Sequence, residues 1–366
     1  MSAIYTAYYD LMGMIGLIML RNNKKHPAVP VFPLVRDICL MIYQINKEIL
    51  DESIYLDPDI KKIRHRVKLF QKKNNLKTYQ RIIDNHINQF GNDIDNLGFY
   101  LDGKQLVGST IYTTYIFQDT QFFSNNPKET SNNIYNFLKL VGETVAITIE
   151  KLIEKSNHSL PIFDPPTFVY NDEKAYTEKD ILNTQFFVKE PDQNVFLTRL
   201  VISLQEASTC NWLYKGIPDA NSLKLDNYIL LRLLSIKADE VMDNLKNMQT
   251  FLPEIFHQVD DECNLSFSKI ISDFDKELRN ECVQLRNMIH YDENERNFLD
   301  YVNNKFREDC NYINNLTYKL VIDYMEPLSK LISNYLKIND MRSMNDLEKI
   351  ARRLFSLVKR NDFRES

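Results

Sequence analysis

Residues 264–291 read NLSFSKIISDFDKELRNECVQLRNMIHY, and this stretch decides the fold class. Ile270, Phe274, Leu278, Cys282 and Leu285 recur three and four residues apart, one stripe of an α-helix. The same period extends outward. It returns upstream at Leu34, Ile38, Met41, Ile42, Ile45 and Ile49, behind Pro33 at a helix start. It returns again at Ile60, Ile63, Val67 and Phe70, and at Leu76, Tyr79, Ile83, Ile87 and Phe90. Ser131 is positioned to cap a further stripe through Ile134, Phe137, Val141, Val145, Ile149 and Leu152. Beyond residue 193 the spacing predicts helices over 194–213, 222–249, 264–291, 293–336 and 344–360. The fourth is expected to break near Pro327, because proline lacks the N–H that a helix interior needs.

One window departs from this period. Between Phe99 and Phe123 an Asp102-Gly103 step precedes Thr110-Ile111-Tyr112-Thr113-Thr114-Tyr115-Ile116-Phe117. A small hairpin is the leading expectation there and a buried helix the alternative, since β-branched and aromatic residues only bias the choice. The expected fold is therefore mainly α. A helical N-terminal domain (1–160) carries a possible small hairpin and a basic segment at 59–83. Four prolines mark an irregular connection at 161–193, with a short helix after Thr177. A helical bundle (194–336) and a C-terminal helix (337–366) follow.

Composition narrows the function classes. Glycine (8) and proline (12) together fall well below the ~12% of average usage, which argues against turn-rich sandwiches, barrels and propellers. Neither GxGxxG nor GxxxxGK[ST] occurs, so dinucleotide-fold and P-loop readings fall. Cys39, Cys210, Cys263, Cys282 and Cys310 are scattered without a CxxC, the pattern of reduced cytoplasmic thiols. Residues 3–20 are apolar except Asp10, and no positive charge precedes them, so a buried helix is expected rather than a signal or membrane segment. No metal or cofactor is expected from any motif.

Charge is segregated. Residues 59–83 hold nine bases, including Lys61, Lys62, Arg64, Arg66 and Lys68, against the single acid Asp59. With the whole chain at −5, the remainder is near −13. A polyanion such as RNA is the natural partner, and a lysine-rich solvated face the plain alternative. Asp260-Asp261-Glu262 is expected to cap the helix that follows.

The chemistry-bearing candidate closes the opening stretch. Arg286 and His290 are four residues apart, hence expected on one helix face, with His290 at the helix end before Asp292-Glu293. A carbonyl-rich helix end favours a protonated histidine, and arginine grips phosphate by charge-assisted hydrogen bonds. Such a pair suits phosphodiester cleavage without a metal. Arg279, two turns earlier, would extend a phosphate track or be an ordinary exposed arginine. Arg81 to His86 shows similar spacing without the surrounding residues.

Leu285-Arg286-Asn287, two apolar residues, then His290-Tyr291 resembles the signature of the HEPN superfamily. These are all-helical domains of abortive-infection, toxin–antitoxin and other prokaryotic defence proteins, and of RNA-processing systems. Three residues separate Arg286 from His290, one fewer than the usual minimum. The resemblance covers about 194–336. It implies a metal-independent endoribonuclease whose two sites meet across a homodimer. Arg286 would bind phosphate, Asn287 would position helix or substrate, and His290 would transfer protons. From their places along the helix rather than from the resemblance, Tyr291 and Arg279 are expected to contact substrate. The competing reading is a non-enzymatic helical interaction, immunity or scaffold protein in which Arg286 and His290 are structural.

Overall fold

The computed structural model describes residues 2–19, 30–64, 66, 76–90, 97–124, 126–156, 158–163, 176–187, 190–217, 224–292 and 297–343. The chain is mainly α with one small antiparallel sheet. At its centre lie α8 (Pro191–Gly216) and α9 (Leu225–Phe251), helices buried on nearly every face. A helix buried all round belongs at the middle of a large core, and other elements surround this pair. α8 packs against α2 (Val31–Glu48), α4 (Leu76–Phe90), α5 (Thr110–Phe117) and α15 (Glu326–Tyr335). α9 packs against α1 (Ser2–Met19), α12 (Arg279–Asn287) and α14 (Tyr312–Tyr318). The apolar core runs as one cluster from Ala3 to Ile338, so 161–193 does not separate two cores. Gly13 sets the approach of α1 to α9. A Cβ there would stand 2.7 Å from Ile229 Cβ, closer than carbon atoms can pack.

The sheet has the order β2-β1-β3-β4. β1 (Leu97–Asp102) and β2 (Gln105–Ser109) form a hairpin whose turn places Gly103 at φ +62. β3 (Tyr176–Ile181) pairs with β1, and β4 (Arg342–Ser343) with β3. The hairpin thus ends sooner than expected, and Thr110–Phe117 takes the helical alternative. Ser109 explains the switch: its Oγ accepts from the Tyr112 N–H at 3.2 Å, capping a helix that buries Tyr112, Tyr115, Ile116 and Phe117. The expected short helix after Thr177 is strand β3, followed by the four-residue α7 (Asn183–Phe186).

Other boundaries shift for local reasons. Asn126, not Ser131, caps α6 (Pro127–Lys155), accepting from the Lys128 N–H at 3.0 Å. The stretch 264–291 is two helices, α11 (Ser266–Glu277) and α12, parted at Leu278. Asp260, in the last turn of α10 (Pro253–Glu262), caps the start of α11, accepting from the N–H groups of Phe267 at 2.8 Å and Ser268 at 3.2 Å. The 293–336 segment breaks after α13 (Phe298–Glu308), not at Pro327. Ahead of Pro327 the helix widens to π geometry over Lys319–Met325 and continues into α15. The expected 344–360 helix lies outside the described residues. Among the described residues, no helix is long and apolar enough to cross a membrane. All five cysteines are unbonded.

A charge cluster with no solvent exposure lies between α2, α8 and α9. Arg36 contacts Asp37 at 2.7 Å, Glu206 at 2.6 Å and Glu240 at 2.8 Å, and Lys237 contacts Asp37 at 2.6 Å and Glu206 at 2.8 Å. The Tyr112 hydroxyl also donates to Glu206. Two cations balance two carboxylates, so the third is in excess, and burial pushes Glu240 up to about 8. An acid raised in the folded state favours folding below its unfolded value of 4.5, and that contribution is lost as pH rises through about 8. Glu240→Gln is therefore expected to gain melting temperature relative to wild type as pH climbs from about 5 to about 9. A difference that stays flat across melts in that range would refute the assignment.

Candidate functional site at the end of α12

Cys282, Leu285 and Ile289 turn one side of the α12 segment into the core, leaving Arg279, Arg286 and His290 on other sides. The helix tightens into a 3₁₀ turn at Met288–His290 and stops at Tyr291, whose φ of +50 is left-handed. That conformation disfavours a side chain, yet here the surroundings fix it. Tyr291 is buried, and its hydroxyl donates to Asp10 Oδ2 at 2.7 Å. It is an anchor of the fold rather than the exposed substrate contact expected. Arg232 reaches the carbonyls of Leu285 and Met288, each at 3.2 Å, while its Nε donates to Asp10 at 3.1 Å. The orphan carbonyls of the helix end thus already hold a cation, so the dipole expected to favour a charged His290 is partly answered by Arg232.

Arg286 faces α9. Its Nη1 donates to Asp239 and, at 3.4 Å, to Asp243. Arg279 continues the same ladder to Asp243 at 3.1 Å and Asp275 at 3.2 Å, and Lys246 meets Asp275 at 2.5 Å. Arg279 is therefore a part-buried bridge between helices, neither a free phosphate contact nor an ordinary exposed arginine. Both carboxylates on Arg286 take Nη1 alone. Its Nε and Nη2 edge has no hydrogen-bond partner among the described residues, and the side chain is 20% exposed. Burial pushes the Asp239 carboxyl up to about 6, against the pull of Arg286. This is a carboxyl that changes charge near neutrality, beside an arginine with one open edge.

His290 is exposed and faces α2, where its Nδ1 lies 2.9 Å from Gln44 Nε2. The amide donates to the neutral ring, and after a flip its oxygen accepts from the imidazolium, so Gln44 orients either form. The 3₁₀ turn advances about 120° per residue rather than 100°, which rotates His290 off the face it was expected to share with Arg286. Asn287 is exposed on the last helical turn. Among the described residues, no group of three or more His, Cys, Asp or Glu is placed to hold a metal.

The basic segment divides. Lys61 and Lys62 are exposed on α3 (Pro58–Arg64), Lys62 pairing with Asp59 at 2.8 Å. Arg64 stacks over the Tyr43 ring at 3.2 Å. Arg66 is buried: its Nε donates to the Ile116 carbonyl at 3.1 Å and its Nη1 meets Asp119 at 2.7 Å. It holds α5 in place and is not part of a basic surface. Lys68 lies outside the described residues. Sequence reasoning missed Gln44, Asp239, Asp243 and Arg232. Asp239 and Asp243 carried a weak signal, an i, i+4 acidic pair on a helix opposite two arginines seven residues apart.

No protein-family model, curated protein or solved structure matches the chain. The likeness to HEPN domains rests on residues 285–291 and their helical setting.

Proposed function

We propose that this chain acts on RNA at the end of α12, as a metal-independent endoribonuclease of HEPN type in prokaryotic anti-phage defence. The observation that carries this reading is the divided arginine. Asp239 and Asp243 fix one edge of Arg286, and the Nε–Nη2 edge remains open to grip a phosphate at two points. His290, oriented by Gln44 on an anchored helix end, moves the proton. Because each chain supplies one such histidine, acid and base come from two copies in a homodimer. Lys61 and Lys62 contribute to holding the RNA backbone. The decisive comparison is purified wild type against His290→Ala, on single-stranded and structured RNA with a chelator present. Wild type is expected to cleave and the variant to lose about 100-fold or more. Equal cleavage by both, or none by either, rejects the reading.

The ion ladder favours a second reading, a non-enzymatic helical interaction or scaffold protein. There Arg286 serves to strap α12 to α9. In that case Arg286→Ala lowers stability and leaves RNA untouched, and Arg286→Lys restores much of the strap. In the first case lysine fails, because it lacks the planar two-point grip.

A further inference from the structure

The longest helix of the fold turns one face to solvent. α6 buries Phe137, Val141, Val145 and Leu152 against the core, where it meets α1 and α2. Its outward side carries Tyr135, Lys139, Gly142, Ala146, Glu150 and Ile153, all of them exposed. Spacings of three and four residues keep these six on one arc of about 80°, since each residue advances about 100° around the axis. An exposed apolar side chain is ordinary when it stands alone. Here Tyr135, 67% exposed, and Ile153, 51% exposed, bracket a single face.

Along this face the side chains follow the same order from either end, with the charge inverted. Tyr135 and Ile153 are the apolar ends. Lys139 and Glu150 stand inside them with opposite charge, and Gly142 and Ala146 are the small residues at the middle. Each of these pairs is centred near residue 144. Neither charge is satisfied within the chain. Glu150 has no ion-pair partner among the described residues, and Lys139 has only Glu143, 3.8 Å away, both groups being more than half exposed. Gly142 is likewise unexplained by internal packing, because a Cβ there would meet nothing within 4 Å. Glycine weakens a helix interior, and what it offers in return is room for another backbone to come close.

From this palindromic order and its self-complementary charge, we propose that α6 pairs antiparallel with α6 of a second copy of this chain. A two-fold axis across the helix at the level of residue 144 sets Tyr135 on Ile153 of the second copy and Lys139 on its Glu150. Each contact is made twice, as two-fold symmetry requires. At the centre Gly142 lies on Ala146 of the second copy, so the axes approach to about 8 Å, the short end of helix–helix distances. The contact spans ~27 Å of helix. It is separate from the pairing proposed at the end of α12, since none of these residues lies on that helix.

Sedimentation velocity of the full chain over a range of concentrations tests it. Wild type is expected to pass from monomer to dimer. Lys139→Glu and Glu150→Lys each turn both intermolecular ion pairs into repulsions, and each alone is expected to weaken dimerisation by about tenfold or more. Both positions are exposed, so neither reversal disturbs the fold. Mixed in equal amounts, the two variants are expected to dimerise with each other at close to wild-type affinity, because every contact again joins unlike charges. A wild type that stays monomeric would overturn the proposal. So would a dimer indifferent to both reversals, as pairing at α12 alone would be, or two variants that do not combine.

Discussion

Replacing Arg36 with methionine should lower the unfolding free energy by about 3–5 kcal/mol, the cost of stripping a buried charge cluster of one partner. Arg36 has no solvent exposure and touches three carboxylates, Asp37, Glu206 and Glu240. Without it, only Lys237 faces them, and Glu240 has no other ion-pair partner among the described residues. Methionine fills much of the volume, so the loss is electrostatic rather than a cavity effect. Two further outcomes follow. The destabilisation should shrink as pH falls, because the stranded carboxylates become neutral. Adding Glu240→Gln should recover part of the loss, since the variant then holds one carboxylate fewer. Urea denaturation at neutral and acidic pH measures all three, and a loss below about 1 kcal/mol would mean the cluster behaves like a surface ion pair.

Asp10→Ala should cost a similar ~3–5 kcal/mol, and its effect should be felt at the other end of the sequence. Asp10 accepts from the hydroxyls of Tyr228 and Tyr291, each at 2.7 Å, and neutralises Arg232. Alanine leaves a buried guanidinium without its counterion, the Tyr291 hydroxyl without its Asp10 acceptor, and the Tyr228 hydroxyl with only the Thr6 carbonyl at 3.5 Å. Arg232 then keeps the carbonyls of Leu285 and Met288 and the Phe298 ring but no counterion, and Tyr291 loses the acceptor of its hydroxyl. Asp10→Asn should be intermediate, because it keeps the volume and one acceptor oxygen but not the charge. Besides the melting temperature, the His290 ring signals in an NMR spectrum should broaden or move in Asp10→Ala. A fully stable variant with unmoved His290 signals would break the link drawn here between α1 and the end of α12.

What could be read from the sequence was whatever depended on local period. The stripe that begins at Leu34 is helical to Glu48, and that from Ile270 to Leu285 is helical on both sides of the break at Leu278, because their apolar spacing leaves one side to bury. The hairpin was half legible: Asp102-Gly103 marked its turn, but the helix at Thr110 depends on one Ser109 side chain bonding three residues ahead. The candidate site was legible as Arg286 and His290 and illegible in its surroundings. Gln44 lies 246 positions from His290, and Asp239 lies 47 from Arg286, separations that periodicity cannot span. Arg66 looked like one more cation of a basic run, and only the distant Ile116 carbonyl and Asp119 reveal its structural task. Asp10 and Arg232 had offered a clue of a different kind. Each is a lone charge in an apolar run, and a charge that must be buried requires an opposite one.

The 222-residue separation of Asp10 and Arg232 also matters while the chain is being made. At about 5–20 residues per second, α1 waits roughly 10–40 s after leaving the ribosome before α9 exists to receive it. During that interval Asp10 is a charge without its counterion in an apolar segment whose packing is incomplete, the kind of surface that chaperones hold and that membranes take up. A carboxylate at its middle adds ~2.5–3.5 kcal/mol to the cost of entering a bilayer. The group that ties the finished fold together thus also keeps the nascent helix in water until its counterion is synthesised.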